Sequence, residues 1–359
     1  MSYTFPVTRN PNPKPKPDPN ELVFGKQFTD HMFVMDYDEG QGWHDGRIIP
    51  YGDILISPAS SVLHYAQMMF EGMKAYKSAS GDVLLFRPEM NARRLNRTNE
   101  RICMPQMDEE LFVSAVKATV HEDKDWVPDA PFTSLYIRPF IIADDPALGV
   151  KSAHHFRFMI ILCPSGPYYA ANRGKLSTTR IFVEDEYIRA AHGGTGYAKV
   201  GGNYAGSLRA SQKAYACDCN DVLWLDAHEH KYIEEVGSSN AFFVIGDEVI
   251  TAPLAGTILP GITRDSVLTL LREWGVPATE RKLSIDEVVA AAKEGALKEA
   301  FASGTAAVIS PMGTLRYLGE EYVINNREVG ALSQKIYDTI TGIQTGKLPD
   351  TRGWTQRVD

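Results

Sequence analysis

Cysteine is scarce in this chain, with four in 359 residues: Cys103, Cys163, Cys217 and Cys219. Cys217-Asp-Cys219 is too closely spaced for an ordinary disulfide and has no second pair to complete a structural zinc site, so free thiols and a cytoplasmic location are expected. Basic charge is also in deficit. Thirty-seven Lys and Arg stand against 45 Asp and Glu, a net charge of −8, which argues against a nucleic-acid or anionic-membrane partner because either needs a clustered basic surface. No run of eighteen apolar residues occurs, which excludes a helical membrane span. The first residues contain neither an apolar signal core nor an arginine-rich amphipathic pattern. Pro11 to Asn20 alternates proline with Lys14, Lys16 and Asp18, so residues 1–20 are expected to form a flexible extended arm.

What the chain does have is enough apolar content, 44% over 359 residues, for a large core and more than one domain. Strand-like runs at Phe33-Val-Met-Asp-Tyr37 and Asp53-Ile-Leu-Ile-Ser57 are followed by a helix opening at Arg87-Pro88-Glu89 and running to about Met104. His155 to Cys163 reads as a buried strand stopped by Pro164-Ser-Gly-Pro167. Beyond it come a strand at Asp221–Asp226, a hairpin over Ala241–Thr251, a helix from Arg264 to Trp274 capped by Thr263, and a capping box, Ser284-Ile-Asp-Glu287, opening a helix through Ala300. This mixture gives an α/β (α+β) chain with a small domain at 21–167, a connection at 168–194 and a large domain at 195–359.

Gly193-Gly-Thr-Gly-Tyr-Ala-Lys199-Val-Gly-Gly-Asn-Tyr204 sets a lysine and a tyrosine among glycines, a pattern suited to a Schiff-base lysine approached closely by backbone and cofactor. Pro260-Gly-Ile262-Thr263 before a helix and the small-residue turn Ser303-Gly-Thr305-Ala306 offer N–H groups to an anion, and Arg94 offers a bidentate partner. Glu234 and Glu235 sit between apolar residues, so alternation points one inward, where a protonated ring nitrogen would be its partner. Arg138 interrupts a strand-like run. Taken singly, each feature also has an ordinary reading: a solvated lysine, a helix cap, a tight turn, a surface acidic pair, an arginine bound to a structural carboxylate. His154-His155 and His228-Glu-His230 lack further ligands, and no metal is expected.

In their order along the chain these segments resemble the branched-chain amino acid aminotransferases, which have the two-domain fold-type IV architecture of pyridoxal-phosphate (PLP) enzymes. The resemblance runs through Phe24-Gly-Lys-Gln-Phe-Thr-Asp-His-Met32, His64-Tyr65, Phe70-Glu-Gly-Met-Lys-Ala-Tyr76, Phe86-Arg-Pro88, Ser134-Leu-Tyr-Ile-Arg-Pro139, Lys199–Tyr204, Glu235-Val-Gly237, Leu259-Pro-Gly261 and Ser303–Ala306. It implies that Lys199 carries the cofactor and, once released, acts as the general base. Tyr204 would bond the cofactor's phenolic oxygen and Glu235 its ring nitrogen, while Arg94, Ile262, Thr263 and Thr305 would hold the phosphate. Tyr136, Thr305 and Ala306 would take the substrate carboxylate. Phe24, Tyr65, Phe70 and Tyr168 would wall the branched side chain, and Arg138 would receive the distal carboxylate of glutamate.

The implied activity is amino transfer between L-leucine, L-isoleucine or L-valine and 2-oxoglutarate, in a homodimer where Tyr65 serves the partner's site. Rival readings within the fold are a D-amino acid transaminase and an aminodeoxychorismate lyase; outside enzymology it is an idle PLP-binding scaffold. One departure concerns regulation: mammalian members carry Cys-x-x-Cys after the threonine-alanine turn, and this chain has Ala307-Val-Ile-Ser310.

Overall fold

The computed structural model describes residues 3–167 and 175–359. The chain forms two compact units. One comprises the chain before the undescribed stretch with Lys199–Gly201 and Gly342–Asp359; the other comprises residues 175–198 and Gly202–Thr341. The α/β expectation holds in both.

In the first unit β1 (His31–Asp38) and β2 (Gly42–Pro50) lead into α1 (Ser61–Tyr65), β3 (Met68–Phe70), β4 (Met73–Lys77), β5 (Val83–Phe86), α2 (Pro88–Arg101), α3 (Glu109–Glu122), β6 (Ser134–Ala143) and β7 (His155–Ser165). An eight-stranded sheet runs from the C-terminal strand Thr355–Arg357 through β5, β4, β6, β7 and β1 to β2, with β3 also on β6. Period-two alternation divides its faces. Leu135, Ile137, Phe156, Phe158, Ile160 and Leu162 pack with Leu95, Phe112 and Val116 of α2 and α3, which leaves Tyr136 and Arg138 of β6 on the other face. Pro88 opens α2, and Asp108 caps α3 by accepting from the Leu111 N–H at 2.8 Å.

Three expectations are corrected here. The arm is docked rather than flexible: the Thr8 N–H donates to the Ile48 carbonyl and the Ile48 N–H to that of Pro6, both at 2.9 Å. Phe5 meets Phe33 edge-on at 4.8 Å, and Lys16 lies 4.3 Å over the Trp126 ring. The edge strand β2 offers unpaired backbone groups, and the arm satisfies some of them. Residues Asp53–Ser57 form no strand; Ile56 packs against Met32, Val34, Ile142 and Met159, while Ile54 and Leu55 face outward, Leu55 being 93% exposed. Residues Gly342–Asp359, expected in the large domain, join the first unit. Thr355–Arg357 completes the β5 edge, and Trp354 packs edge-on against Phe86 at 5.6 Å.

The second unit contains β8 (Thr179–Glu184), α4 (Gly201–Ala205, after its first residue), α5 (Leu208–Ala216), β9 (Asp221–Leu225), β10 (Ile233–Val236), β11 (Ser239–Ile245), β12 (Glu248–Thr251), α6 (Ile262–Glu273), β13 (Ala278–Glu280), α7 (Ile285–Lys293), β14 (Leu297–Gly304), β15 (Val308–Tyr317), β16 (Glu320–Val323) and most of α8 (Ala331–Gln344). Its sheet runs β10-β9-β8-β15-β14-β11-β12-β13, and because β10 also pairs with β11, the first six strands close into a ring. On β9, Leu223 and Leu225 face the core shared with α7, whereas Val222 and Trp224 pack against α5.

The expected connection at 168–194 therefore includes β8, an interior strand between β9 and β15. Ser284 caps α7 as expected, accepting from the Glu287 N–H at 3.1 Å, but the helix stops at Lys293. Gly295 takes φ +72° and the chain re-emerges as β14, so the apolar run through Ala300 is strand, not helix. Gly261, not Thr263, is the N-cap of α6. Within β10 a register shift separates Ile233 from Val236. Both of those side chains enter the core, and the bulge between them buries Glu234 and Glu235 alike. Strict alternation, which would have turned one of them outward, does not survive a bulge.

Candidate active site

Lys199 packs with the first unit. Its N–H donates to Thr98 Oγ1 at 3.0 Å, its carbonyl accepts from the Phe70 N–H at 3.1 Å, and its Nζ lies 4.7 Å from the centre of the Phe70 ring. Arg138 approaches the same ring at 4.5 Å and donates through Nη2 to the Tyr136 hydroxyl at 3.0 Å. Arg138 Nε is buried with no hydrogen-bond partner among the described residues. Tyr136 meets Phe24 edge-on at 4.8 Å. A Cβ on Gly72 would stand 2.2 Å from the Tyr136 hydroxyl, so the glycine of Phe70-Glu-Gly72 is required for that approach.

Beneath these side chains lies a buried ion pair. Arg94 donates through Nε and Nη2 to the two carboxylate oxygens of Glu71, at 2.8 and 2.7 Å. The Asn91 amide and the Gly72 N–H complete the shell at 2.8 and 3.2 Å. Burial pushes the Glu71 carboxyl up, but Arg94, Lys199 and Asn91 together hold it below the usual carboxylate range. Lys74, the register partner of Tyr136 across β4 and β6, is pushed down to about 8 by burial. Tyr65 is half-exposed, its hydroxyl bonded to the Leu148 carbonyl. Tyr168 lies outside the described residues.

The second unit holds the remaining expected residues. Asn203 pins the glycine-rich segment, donating to the carbonyls of Thr195 and Ala198 at 2.8 and 2.9 Å, and Tyr204 follows it on α4. Glu235 is fully buried; its Oε1 accepts from the Leu259 N–H at 2.9 Å and from the Asn240 amide at 3.1 Å, and its Oε2 pairs with Arg189 Nε at 2.7 Å. Asn240 also lies against Gly261, where a Cβ would meet its Oδ1 at 2.0 Å. Glu235 is thereby tied to the start of α6, whose first turn presents Ile262 and Thr263 with N–H groups that a helix leaves without intrahelical acceptors. Thr305 and Ala306 form the turn from β14 to β15. Beside them Ser303 Oγ is buried with no hydrogen-bond partner among the described residues, and a Cβ on Gly304 would fill the space in front of Ser239 Oγ at 2.7 Å.

An orphaned hydroxyl, a turn kept clear by glycine, a helix N-terminus and a buried carboxylate fit a phosphorylated ring with a basic nitrogen. The sequence reading missed Glu71, Asn91, Thr98, Lys74, Arg189, Asn240 and Thr257. Most of them meet a partner remote in the chain, a relation that spacing does not encode. Among the described residues no group of three His, Cys, Asp or Glu could hold a metal, all four cysteines are free, and no helix is long and apolar enough to cross a membrane.

The family model for amino-transferase class IV matches residues 68–313. The chain belongs to the class IV aminotransferases. Among the relatives of this aminotransferase, branched-chain-amino-acid aminotransferase 2 of Bacillus subtilis (strain 168) is 55% identical over 94% of this chain and 93% of its own length. The crystal structure of the Escherichia coli branched-chain amino acid aminotransferase is similar at a TM-score of 0.75 and 25% identity, covering 92% of this chain and 99% of that one. The branched-chain aminotransferase of the thermophilic archaeon Thermoproteus uzoniensis, crystallised with norvaline, gives 0.74 at 26% identity, over 91% and 100%. The aminotransferase fold here is thus fold-type IV.

Proposed function

We propose that this aminotransferase exchanges amino groups between L-leucine, L-isoleucine or L-valine and 2-oxoglutarate, using pyridoxal 5'-phosphate in the cytoplasm. The 55% identity to a branched-chain-amino-acid aminotransferase across nearly the whole chain carries the reading. The cofactor, when bound, supplies a carbonyl carbon for the amino group and an electron-withdrawing ring. Arg94, Ile262, Thr263 and Thr305 would hold its phosphate, Tyr204 its phenolic oxygen and Glu235 its ring nitrogen. Lys199 Nζ is assigned the proton transfer from the substrate Cα, the general-base role.

Tyr136, Thr305 and Ala306 would orient the substrate carboxylate, while Phe24, Tyr65, Phe70 and Tyr168 exclude water around the branched chain. Arg138 is assigned to the distal carboxylate of glutamate. Its buried Nε, without a partner among the described residues, supports an anion there. We infer a homodimer from the apolar surface of the first unit, where Leu55, Leu63, Leu148 and Val150 are exposed, Val150 at 85%.

The test is a product assay: holoenzyme is incubated with 2-oxoglutarate and, in separate vessels, L-leucine, D-alanine or 4-amino-4-deoxychorismate. Formation of L-glutamate and 4-methyl-2-oxopentanoate from L-leucine alone is expected, and its loss by on the order of 10⁴-fold in Lys199→Ala. Turnover of D-alanine or the chorismate derivative instead would transfer the assignment to that rival. No turnover of any would leave a binding scaffold.

A further inference from the structure

Strand β10 buries two adjacent carboxylates, and the Arg189 guanidinium pairs with one of them and acts on the other through its charge. Glu234 is 7% exposed and Glu235 1%. Arg189 pairs through Nε with Glu235 Oε2 at 2.7 Å. Its remaining donors go to backbone, Nη1 to the Thr257 and Gly196 carbonyls at 3.0 and 3.3 Å and Nη2 to Gly196 at 3.2 Å. Among the described residues, Glu234 receives the Thr257 hydroxyl on Oε1. Its Oε2 is buried with no hydrogen-bond partner among the described residues. Thr257 therefore joins the two acids, its hydroxyl on Glu234 and its carbonyl on the arginine of Glu235.

The charged groups acting on Glu234 are Arg189 from the segment before the glycines, Glu235 from its own strand and Asp226 from the turn after β9. Two carboxylates with Asp226 behind them face one cation, and a buried carboxylate oxygen lacking any donor is costly when charged. Burial pushes the Glu234 carboxyl up to about 7; Glu235 and Asp226 add to that, while Thr257 and Arg189 oppose it. Without a second cation the arrangement balances when Glu234 keeps its proton.

We propose that Glu234 is a charge-balancing positioning residue for Glu235, protonated in the cofactor-free protein and releasing its proton to solvent when a cationic heteroaromatic nitrogen is placed on Glu235. The Glu234 O–H bond breaks, its electron pair stays on the carboxylate and the proton passes to the buffer. Two carboxylates then face two cations. The inference rests on the reading that Glu235 faces the cofactor's ring nitrogen.

Proton release on cofactor binding tests it. Cofactor-free full-length protein is titrated calorimetrically with pyridoxal 5'-phosphate, at about pH 6 and about pH 9, in buffers of different ionisation enthalpy lacking primary amines. At about pH 6 the wild type is expected to release close to one proton more than Glu234→Gln, a difference that vanishes at about pH 9, where Glu234 is already ionised. Glu234→Ala, expected to show the same deficit, guards against an ill-folded glutamine variant. Equal proton release by wild type and variants at about pH 6, all of them binding, would overturn the role given to Glu234. A flat titration of the wild type would instead overturn the cofactor reading beneath it.

Discussion

Each compact unit buries an arginine against a glutamate, and the two arrangements differ in their charge count. In the first, Arg94 pairs with Glu71, Lys199 adds a second positive charge, and Asn91 and the Gly72 N–H satisfy the carboxylate further. In the second, Arg189 meets Glu235 while Glu234 lies beside it with one oxygen bonded to Thr257 and the other without a donor among the described residues. The same residue types thus give opposite shifts. Glu71 is held below the usual carboxylate range and Glu234 is raised to about 7. Burial penalises the charged form in both; the supply of donors and cations decides the outcome.

The comparison breaks most visibly at Glu71. Glu71→Ala leaves the Arg94 guanidinium buried without its carboxylate, and a loss of about 3–5 kcal/mol is expected in denaturant unfolding. Glu71→Gln should recover part of it, because an amide oxygen still accepts one of the two guanidinium bonds. If Glu71→Ala left the unfolding midpoint unchanged, the pair would not be the anchor of α2 against the Phe70–Gly72 segment.

Glu234→Gln sharpens the contrast through pH. A raised carboxyl favours the native state's proton, so its full contribution is present below the unfolded value of 4.5 and is lost as pH rises through about 7. Cofactor-free Glu234→Gln should accordingly gain on the wild type by about 1–3 kcal/mol between about pH 5 and pH 8, after discounting for solvent screening. Glu71 has the opposite sign: its contribution is present above the unfolded value and is lost on the acid side as pH falls through the lowered native one. Unfolding curves of Glu234→Gln and Glu71→Gln across pH that moved in the same direction would contradict the difference in charge count.

The smallest effect is expected at the arm. Lys16 lies over Trp126 and 3.4 Å from Asp30, and Asp30 also accepts from the Lys14 N–H and the Trp126 indole at 2.9 and 3.0 Å. Lys16→Ala should cost only about 0.5–1 kcal/mol, as a half-exposed cation–π contact does. Proteolysis within residues 3–20, faster in Lys16→Ala than in the wild type, is the measurement that reads it.

The folded elements were legible where local periodicity is strong. β7, α2, β9 and the β11–β12 hairpin lie where short apolar runs, Pro88 and Gly246-Asp247 put them. The reading of Ser284 to Ala300 as one helix failed at Gly295, because an apolar run does not say whether its second half is helix or strand. The arm and the C-terminal strand were misjudged for another reason: short polar segments fold here by completing the edges of a sheet assembled from elsewhere. Of the candidate site, Lys199, Arg94, Arg138 and the Glu234–Glu235 pair could be picked out by residue type and company, whereas Tyr136 and the choice of Glu235 came only with the resemblance. Glu71 and Arg189 could not, since each is defined by a partner far along the chain.

By itself, then, the sequence determined the elements with strong local periodicity, the glycine-flanked lysine and the inventory of groups able to bind and move protons, because backbone geometry writes regular elements into spacings of two to four residues. The tertiary structure decided which acids are charged. A bulge in β10 turned both glutamates inward, and folding brought Arg94 to Glu71 and Arg189 to Glu235 but, among the described residues, no guanidinium bond to Glu234. Protonation in a buried site depends on the donors and charges around it, and those are set by packing across the fold rather than by neighbours in the chain.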